Sequence, residues 1–229
     1  MKEYIPLSAR HMVARLRNLK HPADIFGRFA AGALHAYVAR SVQARCWRHI
    51  SIGKGAQVHR GTLLHTNDVG TDRRIVIGDR SFVGQNCFFS AGELIELEQD
   101  CLIGPSCNFL GAGHLIDDPT RPYAASPIET YGKIVVEANC WIGTACTIIG
   151  EIRVGFGSIV AAGSLLRESV PPLCMVAGNP GRIRKLFDWE RRIWNSASAG
   201  SEIFEELMRC HERKMPSHEQ FIYQLSRSL

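Results

Sequence analysis

A bulky aliphatic residue recurs at every sixth position between Val136 and Leu166. The members of the series between these two are Ile142, Ile148, Val154 and Val160. The fifth place of most units holds a small side chain, as at Cys140 and Ser158. A six-residue period is typical of a parallel β-helix, in which three short faces close one triangular coil. Each bulky residue then stacks above its counterpart in the next coil, and several coils must stack to bury a core.

The same period continues upstream with interruptions. It runs through Ile52, Val58 and Leu64, then through Ile77, Val83 and Phe89, and, after a slip of two residues, through Leu97, Ile103 and Phe109. We therefore predict about five coils between Ile50 and Leu166, interrupted at 67–74, near Glu93 and at 115–133. The predicted organisation is a β-helix domain at 50–185 that contains a loop insertion at 115–133.

Cysteine is unusually frequent for a chain without an obvious disulfide pattern. Five of the eight cysteines occupy the fifth place of a hexapeptide: Cys87, Cys101, Cys107, Cys140 and Cys146. We interpret them as small buried packing residues, because a free cysteine behaves as a small hydrophobe. The sequence contains no Cys-x-x-Cys pair and opens without a secretory signal pattern, so we expect a cytoplasmic protein.

Residues 1–49 are predicted to form a helical segment. A first helix has Met12 and Leu16 on its apolar face and basic residues on the others, and a second carries Phe29, Leu34 and Tyr37. These helices would cover the open edge of the first coil. Peripheral docking on a membrane through the basic first helix is the alternative.

Residues 186–229 are also predicted to be helical. Trp189, Ile193 and Trp194 form one apolar cluster, and a segment after Ser201 has a second apolar face. A third segment begins at Ser217, where Ser and Gln three residues apart have the spacing of a capping box. We expect these helices to cap the other end of the β-helix or to brace a neighbouring subunit.

The run from Val136 to Lys185, which ends in AGNPGRIRK, resembles the closing segment of the hexapeptide-repeat acyltransferases. It is most similar to the galactoside, maltose and Nod-factor acetyltransferases and to the O-acetyltransferases of surface-polysaccharide gene clusters. The resemblance covers roughly residues 75–185. It implies a mainly β fold, a left-handed parallel β-helix, and acetyl transfer from acetyl-coenzyme A, and it leaves the acceptor undefined.

His114 lies at the mouth of the longest interruption, in LGAGHLIDDPTRP. In the related enzymes a histidine at this place is the general base that takes the proton of the acceptor hydroxyl, a role that suits neutral imidazole. The alternative is a loop histidine bonded to the backbone. Asp117 and Asp118 are close enough in sequence to orient His114, but acidic residues next to Pro119 are ordinary turn formers, and we favour that interpretation.

The resemblance also assigns binding residues. Asn86, in VGQNCF, matches an asparagine that contacts the acceptor, although it could instead be a corner residue bonding its own backbone. Trp141 matches a residue near the coenzyme thiol arm, and its alternative role is to shield a neighbouring subunit. Thr144 matches a residue whose backbone N–H faces the thioester oxygen. Ala162 matches a position whose backbone contacts the pantetheine.

Arg182 and Lys185 match the positions that meet the coenzyme phosphates, and Arg184 could add to them; the alternative is a solvated surface. The net charge of +5 fits an anionic donor or a polyanionic acceptor and is far below that of a nucleic-acid-binding protein, so we expect no nucleic-acid partner. Sites in this family lie between subunits of a trimer. The resemblance therefore implies a homotrimer in which His114 and Trp141 serve one pocket from different chains.

We favour O-acetylation of a sugar hydroxyl, in surface polysaccharide or glycan biosynthesis. The alternative is acetylation of a nucleotide-linked amino sugar, serine or a streptogramin-type antibiotic. A zinc site like that of the γ-type carbonic anhydrases needs three histidines, and the repeat region offers His49, His59, His65 and His114. The closely spaced pair expected downstream is missing, so we expect no metal. A non-catalytic scaffold is the remaining possibility.

Overall fold

The computed structural model describes residues 31–32, 35–66, 74–197 and 202–228. Within these ranges the chain winds through six triangular coils, whose strands lie on three faces, A, B and C, in that order. A β-hairpin and two helices follow the last coil. The two α-helices in the described ranges are too short or too polar to cross a membrane.

Three strands build each of the first three coils. They are β1 (Tyr37–Val38), β2 (Gln43–Ala44), β3 (Ile50–Ile52), β4 (Gln57–Val58), β5 (Leu63–Thr66), β6 (Ile75–Ile77), β7 (Phe82–Val83), β8 (Phe88–Ala91) and β9 (Leu94–Leu97). The fourth coil carries an additional two-stranded arm between faces B and C. Its strands are β10 (Leu102–Ile103), β11 (Asn108–Leu110), β12 (Ala112–His114), β13 (Ile128–Thr130) and β14 (Lys133–Val136), of which β12 and β13 form the arm.

The upper coils lead into the hairpin and the helices. These elements are β15 (Trp141–Ile142), β16 (Thr147–Ile149), β17 (Ile152–Val154), β18 (Ile159–Val160), β19 (Leu165–Leu166), β20 (Cys174–Ala177), β21 (Arg182–Asp188), β22 (Ile193–Ser196), α1 (Glu202–Lys214) and α2 (His218–Ser226). Val170 forms a bridge with Val154 and completes the sixth coil on face C.

The stacking predicted from the period is confirmed. Face A orders its coil strands β1-β4-β7-β10-β15-β18-β20, face B β2-β5-β8-β11-β16-β19, and face C β3-β6-β9-β14-β17, all in parallel. The register places Phe89 beside Phe109 and Phe109 beside Ile148, and the two rings stack with centroids 4.6 Å apart. All members of the upstream and downstream series are at most 4% exposed. This column of apolar side chains is the core.

The cysteines of the repeat pack in the corners, as predicted. All five are at most 1% exposed. Their thiols donate to carbonyl oxygens of the following coil, as from Cys107 Sγ to Gly143 O at 3.0 Å and from Cys146 Sγ to Ala161 O at 3.1 Å. Burial raises the pKa of the Cys101 thiol to about 12. Through these hydrogen bonds the corner thiols tie one coil to the next.

The prediction that residues 1–49 form a helical segment is wrong for residues 37–44, which contain two strands, whereas Trp47–His49 form a short 3-10 helix. Tyr37, which we placed on the second helix, lies in β1, and β2 follows it on face B. Val38 and Ala44 occupy inward positions next to Val58 and Leu64, so this stretch is a coil that precedes the predicted first one. The β-helix thus has six coils rather than about five. The first predicted helix and most of the second lie outside the described residues.

The prediction that the helical segment begins at residue 186 is also wrong. β21 pairs antiparallel with β20, and β22 pairs with β21, so face A extends past the boundary that we set at 185. The aromatic residues at 187 and 194 face each other across this hairpin, with ring centroids 5.2 Å apart. Cross-strand packing of Phe187 on Trp194 explains why this apolar cluster is not helical.

The two predicted later helices are confirmed. Helix α1 packs Phe204, Leu207 and Met208 against the core. Helix α2 begins with the predicted capping box, in which Ser217 and Gln220 each accept a hydrogen bond from the other's backbone N–H. Phe221 of α2 is buried against Phe156 at the corner between faces C and A.

Candidate functional site

The arm that carries His114 projects from the corner between faces B and C. It leaves the fourth coil after β11, and its ladder continues beyond the strands through a bond from Leu115 N to Pro127 O at 2.9 Å. Gly113 leaves room for the Tyr131 side chain, since a Cβ at 113 would lie 2.0 Å from the Tyr131 hydroxyl oxygen and would displace it. The arm therefore holds His114, an exposed residue, at the end of a paired strand.

The imidazole of His114 is oriented by a backbone group. Its Nδ1 lies 3.1 Å from the carbonyl oxygen of Ser126. Because a carbonyl oxygen only accepts, this contact assigns the proton to Nδ1 and leaves the lone pair on Nε2. The backbone bond that we gave as the alternative is thus present, and the same bond leaves Nε2 in the form that a general base requires.

Asp118 shapes the turn of the loop, as we favoured from the sequence. Its Oδ1 accepts from the backbone N–H of Thr120 at 2.9 Å and from the Thr120 hydroxyl. The hydroxyl contact is the main cause that lowers the pKa of the Asp118 carboxyl. Arg121 lies within ion-pair distance of the other carboxylate oxygen. Sequence reasoning missed the group that orients His114, because every residue carries a backbone carbonyl and none marks Ser126.

Asn86 occupies the corner between faces A and B in the third coil. Its φ of 57° is left-handed, like those of Ser106 and Ala145 at the matching corner positions of later coils. The Asn86 side chain lies next to Gly61 of the preceding coil. A Cβ on Gly61 would lie 2.1 Å from Asn86 Oδ1. Asparagine is well suited to this backbone conformation, so the corner explains the residue type independently of any acceptor.

Thr144 and Ala162 lie at the same corner as Asn86, in the fifth and sixth coils. They take the first turn position, three residues after the register-paired Trp141 and Ile159. The backbone N–H groups of Thr144 and Ala162 form no hydrogen bond with any residue in the described ranges. Both groups are therefore available to a ligand that runs along this corner.

Trp141 stands on the outer surface of face A and is half exposed. Register pairs connect it through Ile159 and Met175 to Lys185 in one outward column. A groove of about 370 Å³ adjoins the indole, and its lining includes Trp141, Ile159, Phe187, Trp189, Trp194 and Phe221. The hairpin that we had predicted as helix thus supplies much of the aromatic surface beside Trp141.

Arg182 and Lys185 are both exposed on β21. Arg182 lines a groove of about 480 Å³ at the last coil, together with Arg167 and Ser169. Its Nη1 lies 3.6 Å from Glu168 Oε1, an exposed ion pair that contributes little to stability. Lys185 does not line this groove, so the structure places the two basic residues on one strand without joining them in one cavity.

Four of the predicted site residues divide into two groups within one chain, apart from Trp141 on face A and the basic residues of β21. Asn86, Thr144 and Ala162 share the corner between faces A and B, whereas the arm of His114 leaves the corner between faces B and C. These corners are separated by the width of face B, which is about five residues of extended chain. At the rise of a β-strand, this corresponds to about 16 Å. One chain therefore presents the two groups on opposite edges of face B.

The repeat-region histidines are dispersed. His49 is buried beside Arg48, His59 packs against Phe82 with centroids 4.5 Å apart, and His65 contacts Arg45. In the described part of the chain, no three His, Cys, Asp or Glu residues come together as a possible metal site.

The sequence matches no family model. A Schizosaccharomyces pombe protein that is named as an acetyltransferase is 29% identical over 110 residues. These residues are 48% of this chain and 52% of that protein. A Saccharomyces cerevisiae protein that is also named as an acetyltransferase is 31% identical over 122 residues. These residues are 53% of this chain and 61% of that protein. The chain thus spans between half and two thirds of the length of these relatives.

A solved hexapeptide-repeat acetyltransferase of Vibrio cholerae, in complex with acetyl-coenzyme A, is 26% identical. The alignment covers 72% of this chain and 78% of that one, with a TM-score of 0.50. The chain is therefore similar in sequence and fold to a hexapeptide-repeat acetyltransferase. A variant of AntD, an N-acyltransferase from Bacillus cereus solved with dTDP and coenzyme A, shares the acyltransferase fold at a TM-score of 0.56. It is 19% identical over 79% of this chain and 89% of its own. The left-handed parallel β-helix expected for this family is confirmed.

Proposed function

We propose that this protein transfers an acetyl group from acetyl-coenzyme A to a sugar hydroxyl, with His114 as general base. The observation that carries the proposal is the contact of His114 Nδ1 with the Ser126 carbonyl, which leaves Nε2 as the proton acceptor of an exposed imidazole. The Vibrio cholerae relative, solved with acetyl-coenzyme A, supports the choice of donor.

In the proposed reaction, Nε2 of His114 takes the hydroxyl proton while the acceptor oxygen attacks the thioester carbonyl carbon. The resulting oxyanion would accept a hydrogen bond from the backbone N–H of Thr144. When the tetrahedral intermediate collapses, the carbon–sulfur bond breaks and the coenzyme thiolate takes the proton from His114. The products are the acetyl ester and free coenzyme A, and the imidazole returns to its starting tautomer.

We further propose that the donor and the general base come from neighbouring copies of the chain. The separation of the Thr144 corner from the His114 arm across face B supports a site completed by a second copy. The unbonded N–H groups of Thr144 and Ala162 would contact the thioester and the pantetheine, and Trp141 would flank the thiol arm. Arg182 and Lys185 would meet the phosphates of the coenzyme as separate contacts along its length.

The test is a thiol-release assay with acetyl-coenzyme A and a panel of acceptors. The panel contains free sugars, sugars of surface polysaccharides, nucleotide-linked amino sugars, serine and streptogramins, and it is run on wild type and His114→Ala. We expect His114-dependent release with a hydroxyl-bearing sugar. Release only with an amino-bearing acceptor would move the reaction to N-acetylation at the same site. Equal turnover by His114→Ala would remove the general base from the proposal.

A further inference from the structure

Arg45 and His65 form a polar pair on the outer surface of face B. Arg45 follows β2 in the first coil, His65 lies in β5 of the second, and Arg45 Nη1 lies 3.2 Å from His65 Nε2. Guanidinium only donates, so His65 accepts through Nε2 and carries its proton on Nδ1. The pair therefore presents N–H donors from both side chains at adjacent positions.

No carboxylate among the described residues balances the positive charge of Arg45. Arg45 forms no ion pair with a carboxylate in the described ranges. Other basic residues of the coils do find such a partner, as Arg80 does with Asp100 and Arg153 with Glu137. His65 cannot offset this charge, because an imidazole is either neutral or cationic, and burial and the nearby Arg45 cation lower its pKa.

The pair lies below the arm that carries His114, towards the same edge of face B. Along face B, His65 is paired with Ser90 and Ser90 with Leu110, after which the chain enters the arm that carries His114. Two strand spacings, about 10 Å, separate His65 from Leu110. The other edge of the same face is the corner that holds Asn86. An acceptor whose hydroxyl approaches His114 can therefore extend down face B to Arg45 and His65.

We propose that Arg45 and His65 bind an anionic group of the acceptor, a phosphate or a carboxylate, two strand spacings below Leu110, where the chain enters the arm that carries His114. Arg45 would donate to the anion from the guanidinium nitrogens that do not bond His65, and His65 would donate from Nδ1. The acceptor class is then a sugar phosphate, a nucleotide-linked sugar or an acidic sugar, rather than a neutral sugar. This inference rests on the proposed function for the position of the acceptor.

The kinetic test compares acceptors that differ only in the anion: a neutral hexose, its 1-phosphate, its nucleotide-linked form and the corresponding uronic acid. We expect wild type to prefer at least one anionic member, which identifies the anion. Arg45→Gln should raise KM for that acceptor about 10-fold to 100-fold and leave KM for the neutral hexose and for acetyl-coenzyme A unchanged. Lys54→Gln, which removes an exposed charge of the second coil at the corner between faces C and A, should change none of these values. Equal effects of Arg45→Gln on neutral and anionic acceptors would overturn the assignment.

A binding measurement separates failure of this inference from failure of the proposed function. Titration calorimetry with a nucleotide-linked hexose, a hexose 1-phosphate and a uronic acid needs no acetyl transfer. We expect binding to be weaker in Arg45→Gln and His65→Ala than in wild type. Lys54→Gln and His114→Ala should bind as wild type does. This result would uphold the anion site even in a protein without acetyltransferase activity. Transfer to neutral sugars alone, with no measurable binding of any anionic acceptor to wild type, would refute the anion site and leave the proposed function standing.

Discussion

His114 and Ser126 face each other across the arm of the fourth coil, with 3.1 Å between the imidazole Nδ1 and the carbonyl oxygen. Because the contact is to a backbone atom, it assigns the histidine tautomer whatever side chain stands at 126. We expect long-range ¹⁵N correlation spectra near pH 8 to show the Nδ1–H form for the resonance that disappears in His114→Gln. Observation of the Nε2–H form would contradict the proposed base.

Replacing His114 should reduce turnover without affecting the donor. Loss of a general base lowers kcat by about 10²-fold to 10⁴-fold. We expect His114→Ala to fall in this range with KM for acetyl-coenzyme A unchanged. Tyr123→Ala, a change at an exposed aromatic of the same loop, is the matched control and should keep most of the activity. A parallel rise in the donor KM of His114→Ala would indicate that the histidine binds rather than catalyses.

Substitutions at Asn86 should separate its corner role from any acceptor role. Its φ of 57° suits Gly, whereas Ala in this conformation costs about 1 kcal/mol. We expect Asn86→Gly to keep the urea midpoint of wild type and Asn86→Ala to lower it. If the side chain contacts the acceptor, both variants raise the acceptor KM and neither changes the donor KM. An unchanged acceptor KM in Asn86→Gly would leave Asn86 as a turn residue only.

Thiol labelling should report the packing of the cysteines. Six of the eight are buried, and burial raises the pKa of Cys101 and Cys174 to about 12, so their thiolates are scarce at neutral pH. We expect a disulfide reagent at pH 7.5 to modify no more than Cys46 and Cys210 in the folded protein and all eight thiols in guanidinium. Rapid modification of three or more thiols in the native state would show that the corners open.

Phe221 should anchor α2 to the coils. Its ring is buried against Phe156 at 4.7 Å between centroids, and Trp189 lies at 6.0 Å. Removing a buried phenyl group costs about 3–5 kcal/mol of stability. We expect Phe221→Ala to weaken the docking of this helix on the coils by this amount. Limited proteolysis should then cut within 202–228 faster than in wild type. Tyr223→Ala, on the exposed side of the same helix, should show the wild-type rate.

His65 should make stability depend on pH below its ordinary pKa of 6.5. The folded-state pKa is lowered, so the unfolded chain binds the proton first as the pH falls below 6.5. Stability linked to His65 is therefore complete above this value and decreases below it. We expect the loss in urea midpoint between pH 7.5 and pH 5.5 to be smaller for His65→Gln than for wild type. Identical losses would show that the folded protein accommodates the imidazolium.

The period of six was sufficient to predict the core, because each inward position depends only on its counterpart one coil away. Phe89, Phe109 and Ile148 stack as the sequence pattern indicates. The same pattern failed at both margins of the β-helix. Val38 and Ala44 continue the step of six, but Phe29, Leu34 and Tyr37 before them have a helical spacing, and that spacing favoured a helix.

The hairpin was misassigned for a related reason. Trp189 and Ile193 have a helical i, i+4 spacing beside Trp194, yet Trp194 instead meets Phe187 across two strands that continue face A. The hairpin forms because β21 can pair with the open edge of β20. A local sequence pattern does not reveal this edge, so it cannot distinguish a hairpin from a helix. The pair of Arg45 and His65 escaped prediction as well, because residues 20 positions apart become neighbours only once the coils are counted from Tyr37.

The antiparallel turn of β21 and β22 also sets where the stack ends. A column of identical parallel coils has no intrinsic length, and its exposed end offers the same pattern of N–H and C=O groups to another molecule as to its own next coil. On face A that pattern stops at β20, because the two strands that follow run in alternating directions and do not keep the six-residue step. A second molecule adding its own coil there would find no matching register. The hairpin therefore acts as a terminator against filament growth at this end.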